Sequence, residues 1–142
     1  RFYRMWNALT RGSPLSALEQ SAAFSENRQA LLAGNIANLD VPGYKTRDIS
    51  TSDFQARLRE AISATANPSS GTLPGEPPSA ATAMERVRDV RQHILFHDGS
   101  DVSLEEQVTE ISKNEALHNI SIALMRSQFR NLEVAIRESV NV

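Results

Sequence analysis

Residues 33 to 45 read Ala33-Gly34-Asn35-Ile36-Ala37-Asn38-Leu39-Asp40-Val41-Pro42-Gly43-Tyr44-Lys45, and this run ends a long segment of regularly spaced apolar residues. Asn35 and Asn38 are three residues apart, so their side chains share one side of a helix end. Each amide can donate and accept hydrogen bonds, and can therefore tie together parts of the chain or neighbouring chains. Pro42 disfavours helical geometry at Val41 and ends the helix near that point. Gly43 permits the positive φ of a tight turn.

The segment before this run predicts a long first helix over residues 14–39. Pro14 suits the first turn of a helix. Mostly apolar residues then follow with alternating spacings of three and four: Leu15, Leu18, Ala22, Ser25, Gln29, Leu32, Ile36 and Leu39. This heptad spacing is typical of a helix that is buried against other helices.

The end of the chain predicts a second, longer helix within residues 98–140. Asp98 to Asp101 are expected to form a turn, and Ser103-Leu104-Glu105-Glu106 is a capping box. Apolar residues in one heptad register follow: Leu104, Val108, Ile111, Ile122, Met125, Phe129, Leu132 and Ile136. We call the apolar heptad positions of both helices the predicted seam. They predict a mainly all-α fold in which the long terminal helices pack antiparallel in a helical-bundle or coiled-coil arrangement.

Composition excludes several classes of function. The chain of 142 residues suffices for one domain, and its net charge of −2 is too small to indicate binding to nucleic acid or an anionic membrane. The sequence contains no cysteine and therefore no disulfide or thiol chemistry. No run approaches the ~18 apolar residues of a membrane span. No apolar signal-peptide segment follows the basic residues near the N-terminus, so we expect no cleaved signal peptide.

No group of residues predicts catalysis or metal binding. His93 and His97 have a spacing that could hold a metal on a helix, but no third histidine or cysteine is near, and Gly99 would end the helix. Glu105, Glu106 and Glu110 could form paired carboxylates, but their place at a helix start explains them without catalysis. No phosphate-binding loop or nucleophile motif is present. We therefore expect neither an enzyme nor a cofactor, and no small-molecule substrate.

The run at residues 33–45 resembles the N-terminal signature of the bacterial flagellar rod, hook and hook-basal-body proteins, A-x-N-I-A-N-x-x-T-P-G-Y-K. The matching residues are Asn35, Ile36, Ala37, Asn38, Pro42, Gly43, Tyr44 and Lys45. Val41 stands where the family usually has Thr, and Gly34 where it often has Asn or Ser. The change at Val41 removes a hydroxyl that could cap the turn.

A second resemblance lies near the other end of the chain. Residues 98–106 are similar to the D-G-N-x-V-D-L-x-x-E entry of the family's C-terminal helix, and residues 127–132 to its S-x-Q-F/L-K-x-L motif. The resemblance covers roughly residues 14–65 and 97–138, and the middle carries none. Within the family, Arg47-Asp48-Ile49 followed by Asp53-Phe54, together with the short chain, is most similar to one particular proximal rod protein. A sister proximal rod protein is the alternative.

The resemblance implies a single rod-type domain over residues 1–142. Residues 14–65 would hold the N-terminal rod helix, the turn motif and a short third helix that Ser52-Asp53-Phe54-Gln55 opens as a capping box. Residues 98–140 would hold the C-terminal rod helix. In residues 1–12, Phe2, Trp6 and Leu9 have helical spacing. This segment is either a frayed end of the chain or a segment that docks on a partner.

The middle of the chain, residues 66–97, is expected to be flexible or extended. Residues 66–83 are rich in Pro, Gly and Ser, a composition that predicts a flexible loop. Met84, Val87 and Val90 have helical spacing, whereas residues 94–96 favour a strand. Because the corresponding region of the family tends to be extended, we favour a strand or irregular structure over residues 84–97.

The resemblance also implies a function. The chain would be a structural subunit of the proximal rod in the bacterial flagellar basal body, assembling by helix packing to transmit torque from the membrane ring to the distal rod and hook. Its partners would be like subunits, the other proximal rod proteins, the basal-body adapter FliE, the membrane ring and the type III export apparatus, which would export it unprocessed to the periplasm-spanning rod. The signature residues Asn35, Ile36, Asn38, Pro42, Gly43, Tyr44 and Lys45 are the expected assembly residues. The alternative is a soluble helical adaptor or type III export chaperone that binds one partner helix.

Overall fold

The computed structural model describes residues 13–97 and 103–140. In chain order its elements are α1 (Leu15–Ala37), β1 (Thr46–Ile49), α2 (Thr51–Ala66), α3 (Ala80–Val90), β2 (Ile94–His97) and α4 (Leu104–Val140). The prediction of a mainly α-helical chain with long terminal helices is confirmed. The predicted N-terminal segment, residues 1–12, and the predicted turn at residues 98–101 lie outside the described residues. Within the described ranges, no helix is both long and apolar enough to cross a membrane.

Serine side chains cap the starts of α2, α3 and α4. Ser103 precedes α4, and its Oγ accepts a hydrogen bond from the backbone N–H of Glu106 at 3.2 Å, as the capping box predicts. The helix α2 begins two residues earlier than the sequence indicated. Ser50 rather than Ser52 is its cap, and the Ser50 Oγ accepts from the N–H of Asp53 at 3.1 Å.

The middle of the chain has more regular structure than its sequence predicted. Residues 80–90 form the helix α3, where a loop and then extended or irregular structure were expected. Ser79 caps this helix, and Ala83 and Val87 are fully or almost fully buried, so packing outweighs the ambiguous local signal. The predicted strand forms at residues 94–97. It pairs antiparallel with β1, with Thr46 opposite His97.

The hydrophobic core lies on one side of the terminal helices. The rings of Phe24 in α1 and Phe54 in α2 stack with their centroids 4.0 Å apart. Around them are the other buried apolar residues of the core, Ile49, Ala61, Ala64, Ala83 and Val87. Leu31 of α1 and Leu117 of α4 pack against this cluster and are partly buried. The core therefore packs α2, α3 and the two-stranded sheet against one side of the helix pair formed by α1 and α4.

The helices α1 and α4 run antiparallel. Asn35, near the end of α1, contacts Gln107 near the start of α4. Ser25, about three turns earlier in α1, contacts His118 about three turns later in α4. The sum of the paired residue numbers stays nearly constant along the two helices, which defines the antiparallel orientation predicted from the sequence.

Candidate functional site

Asn35 is the centre of a junction between α1, β1 and α4. Its Nδ2 donates to the carbonyl oxygen of Arg47 at 2.7 Å and to Gln107 Oε1 at 3.2 Å. Its Oδ1 accepts from the N–H of Arg47 at 2.9 Å and from the Tyr44 hydroxyl at 3.2 Å. Asn35 is 1% exposed, so these bonds satisfy a buried amide that could not find water. One side chain thus holds the end of α1, the following strand and α4 together.

The turn after α1 follows the prediction from the signature. Asn38 ends the helix, and its Nδ2 donates to the carbonyl oxygen of Gly34 at 2.8 Å. The Tyr44 N–H donates to the carbonyl oxygen of Val41 at 3.1 Å, and Gly43 has a φ of 75°. Pro at the second and a positive φ at the third position are the features of a type II turn. Because backbone atoms close it and the Val41 side chain is 49% exposed, the turn forms without a threonine hydroxyl at that position.

Arg28 forms an ionic network beside Asn35. Its Nε and Nη2 donate to the two carboxylate oxygens of Asp48 at 2.9 and 2.8 Å, and Nη2 also donates to Glu110 Oε2 at 2.7 Å. Arg28 is buried, and its side-chain bond to Asp48, with a smaller contribution from Glu110, raises the guanidinium pKa despite burial. Hydrogen bonds from Lys113 and then Arg28 lower the pKa of Glu110. The network connects α1, β1 and α4 through charged groups.

Further polar pairs continue the contact along the two helices. Asn114 donates to the carbonyl oxygen of Ser25 at 2.7 Å and to Gln29 Oε1 at 2.9 Å. The Ser25 hydroxyl lies 3.0 Å from His118 Nδ1. The buried polar residues of α1 and α4 are Gln20, Ser21, Ser25, Arg28, Asn35, Gln107, Asn114 and Ser121. We call this set the polar interface.

Within one chain, the polar interface contributes more of the contact between the two helices than the predicted seam does. Of the predicted seam, Leu15 and Leu32 are buried, and Leu18, Ile36, Leu39, Ile111, Ile122, Met125 and Leu132 are partly buried; Leu104, Val108, Phe129 and Ile136 are exposed by 41–60%. Sequence reasoning missed Arg28, Gln107 and Asn114. A signal was present, since Ser21, Arg28 and Asn35, like Gln107, Asn114 and Ser121, recur every seven residues.

No metal site is found in the described parts of the chain, where no three His, Cys, Asp or Glu side chains come together to hold an ion. His93 follows α3 and its Nδ1 lies 2.8 Å from the carbonyl oxygen of Asp89, whereas His97 ends β2. The two histidines therefore do not share the helix face that a metal pair would need.

The long antiparallel terminal helices, with an N-I-A-N helix end and a P-G-Y-K turn at their junction, are the arrangement expected of a flagellar axial rod protein. The chain is 32% identical over 114 residues to the flagellar basal body rod protein FlgB of Escherichia coli K12, covering 74% of this chain and 79% of that one. It is 32% identical over 127 residues to FlgB of Cereibacter sphaeroides, covering 83% and 89%. FlgB of Proteus mirabilis is 25% identical over 127 residues, covering 84% and 90%. The chain belongs to the FlgB family of flagellar basal body rod proteins.

All three relatives are named FlgB. This agrees with the residues after the turn, which resemble FlgB more than its sister protein FlgC. No protein-family model and no solved structure match the chain.

Proposed function

We propose that the chain is a structural subunit of the proximal rod of the flagellar basal body and that it assembles through an apolar face formed by both terminal helices. The observation that carries this proposal is the separation of polar and apolar residues around α1 and α4. Buried polar side chains form much of their mutual contact, while the predicted seam, apart from Leu15 and Leu32, is left partly or largely open in the single chain.

The direction of the seam follows from helix geometry. Successive residues turn by about 100°, so Ile111 and Ile122 point about 60–80° to one side of Asn114, and Leu117 about 60° to the other. In α1, Leu18 and Ile36 likewise point about 80° to one side of Arg28 and Leu31 about 60° to the other. Because the helices are antiparallel, equal rotations about the two helix axes point to the same side of the helix pair. The seam residues of α1 and of α4 therefore lie on one side, and Leu31 and Leu117 lie on the other. Leu31 and Leu117 meet the core, and the seam residues face away from it.

We call the side opposite the core the outer face, and define it by Leu18, Ile36, Leu104, Val108, Ile111 and Ile122. Burial of apolar area contributes roughly 25 cal/mol per Å². Neighbouring subunits in a rod would cover the outer face and gain this energy repeatedly around the structure. A stiff helical assembly of this kind would transmit torque from the membrane ring to the distal rod and hook.

The proposed partners are like subunits, the other proximal rod proteins, the adapter FliE and the membrane ring, with delivery by the type III export apparatus without a cleaved signal peptide. The names of the FlgB relatives support a place in the basal-body rod. Among the signature residues, Asn35, Asn38 and Gly43 build the junction inside the chain. Pro42, which is exposed, would contact neighbouring subunits.

The outer face is tested by placing a charge on it. Val108 is 48% exposed, so Val108→Asp leaves the chain folded but places a carboxylate in any interface that covers this position, at a cost of several kcal/mol. Ile62 is 50% exposed and lies on α2, away from the outer face, so Ile62→Asp is the matched control. We expect a strain that carries only Val108→Asp to lose rods in electron micrographs and to lose swimming, while Ile62→Asp keeps both.

Normal rods with the Val108→Asp protein would refute the outer face as the assembly surface. The chaperone alternative predicts a different distribution of the protein in the cell. A rod subunit is recovered in purified basal bodies in a fixed ratio to other rod proteins, whereas a chaperone or adaptor is absent from them.

A further inference from the structure

The loop between α2 and α3 is ordered around one carboxylate. Glu76 accepts hydrogen bonds from the N–H groups of Ser70, Thr72 and Leu73 at 3.1 to 3.2 Å, and its Oε2 accepts from the Ser70 hydroxyl at 3.0 Å. These bonds, the one with Leu73 most of all, lower the pKa of Glu76. The loop that composition predicted to be flexible therefore has a defined shape.

Two glycines and a serine complete this shape. Gly71 and Gly75 have φ of 63° and 86°, values that side chains other than glycine rarely adopt. A Cβ on Gly71 would lie 2.7 Å from the backbone nitrogen of Ser79, so the loop closes tightly there. The Ser69 hydroxyl donates to the carbonyl oxygen of Pro77 at 2.7 Å.

The ordered loop holds Leu73 in solvent. Leu73 is 70% exposed, the largest exposed fraction among the large apolar side chains of the described residues, and it is not part of the hydrophobic core. Order in the loop therefore does not bury this side chain in its own chain. A side chain fixed in advance loses less conformational freedom on docking, which favours binding.

The charge pattern indicates what Leu73 would dock against. Glu76 is the only Asp, Glu, Lys or Arg between Glu60 and Glu85, and the donors around it occupy its carboxylate. The loop thus presents apolar and hydroxyl groups without a free charge. A matching surface occurs on α4, where residues 116–125 contain no Asp, Glu, Lys or Arg. Within that window Ile120 and Leu124 are 58% and 48% exposed and lie one turn apart on one side of the helix.

We propose that Leu73 of one copy of this chain docks against Ile120 and Leu124 of a second copy. This inference rests on the proposed role as an assembly subunit. Leu73 lies on a different element from Ile120 and Leu124, so the contact is heterologous. Every copy carries both surfaces, and repetition of the contact closes a ring or extends a helical assembly. It is separate from the outer face, because Ile120 and Leu124 point about 80–120° to the Leu117 side of Asn114.

Cysteine cross-linking tests the contact directly, because the natural chain has no thiol. Leu73→Cys and Leu124→Cys are made in differently tagged copies and expressed together with the wild-type protein, so that rods form in every strain. Leu73→Cys with Ile62→Cys, a position of similar exposure to Leu124, is the control pair. On oxidation we expect a cross-linked dimer with both tags in basal bodies, at least about tenfold above the control, since a disulfide needs Cβ atoms within roughly 4.5 Å.

A second variant tests the role of loop order. Glu76→Ala in the Leu73→Cys copy removes the acceptor that organises the loop and should reduce the cross-link severalfold, while circular dichroism of the purified variant stays unchanged. Rods that assemble and support swimming but give no Leu73–Leu124 cross-link would overturn the docking contact and leave the proposed rod function intact. Cross-linking that is insensitive to Glu76→Ala would overturn the role assigned to the ordered loop.

Discussion

Replacement of Asn35 by alanine should strongly destabilise the fold, whereas the same change at Asn38 should not. Asn35→Ala leaves the N–H and carbonyl of Arg47 and the side-chain oxygen of Gln107 without their partner, at a position where Asn35 and Gln107 are only 1% and 6% exposed. A buried polar group without a partner costs about 1–3 kcal/mol. Truncation opens some space for water, so we take the low end for each of the three groups, and expect a loss of about 3 kcal/mol.

Asn38 is the matched control because it is the same residue type, one helical turn further along the signature. Its side chain donates to the carbonyl oxygen of Gly34, but the backbone N–H of Asn38 donates to the same oxygen at 3.2 Å. Asn38→Ala therefore leaves that carbonyl satisfied and should cost no more than about 1 kcal/mol.

Urea unfolding of the purified chain, followed by circular dichroism, measures both changes. With an m-value of roughly 2 kcal/mol/M, Asn35→Ala should lower the unfolding midpoint by about 1.5 M and Asn38→Ala by less than about 0.5 M. Asn35→Asp keeps the size and one acceptor but loses the donors, so it should also destabilise the chain. Equal midpoints for the two alanine variants would refute the role of Asn35 as the centre of the junction.

Other residues of the junction give further predictions. Arg28→Gln should cost about 3 kcal/mol, because it leaves two carboxylates without their shared cation, whereas Arg137→Gln in an exposed pair should stay within about 0.5 kcal/mol in the same urea titration. The pKa of Glu110 is lower in the folded chain than in the unfolded chain, where it is about 4.3. Its contribution to folding stability is therefore present above that value and is lost as the pH falls through the lower folded pKa. Glu110→Gln should make the stability less dependent on pH below about 4.5. Gly43→Ala should cost about 1–2 kcal/mol, because φ is 75° there. Gly34→Ala, inside α1, should stabilise the chain by about 0.5–1 kcal/mol in thermal unfolding, because the added Cβ would make only an ordinary contact of 3.9 Å with Arg47 Nη2.

The two terminal helices and the turn between α1 and β1 could be predicted from the sequence because their signals are local. The capping serine before α4, the proline and glycine of the turn and the heptad spacing each act over a few residues. The order of the loop around Glu76 could not be predicted in this way. Composition indicates how much apolar surface a segment can bury. It does not show that one carboxylate accepts hydrogen bonds from three backbone N–H groups and so orders the loop.

The pattern of apolar residues also could not predict which face of α1 contacts α4. A heptad of apolar residues indicates that a face becomes buried, but it does not say whether the partner is in the same chain or in a neighbour. In this chain the pattern marks Val108 and Leu104, which the single chain leaves about half exposed, while Asn35 and Asn114 make the internal contact.

The division between a polar contact inside the chain and an apolar face outside it has a consequence for assembly. Apolar packing tolerates a shift of one helix along another, because many positions offer similar contacts. A shift of one turn, about 5.4 Å, would break the Asn35–Gln107 and Arg28–Glu110 bonds together and leave buried polar groups unpaired. The polar interface therefore sets one register for α1 and α4. Since both helices contribute residues to the outer face, that register also sets the relative height of Leu18 and Ile36 against Val108 and Ile122. In the proposed assembly, the shape presented to neighbours would thus be set by bonds inside the chain.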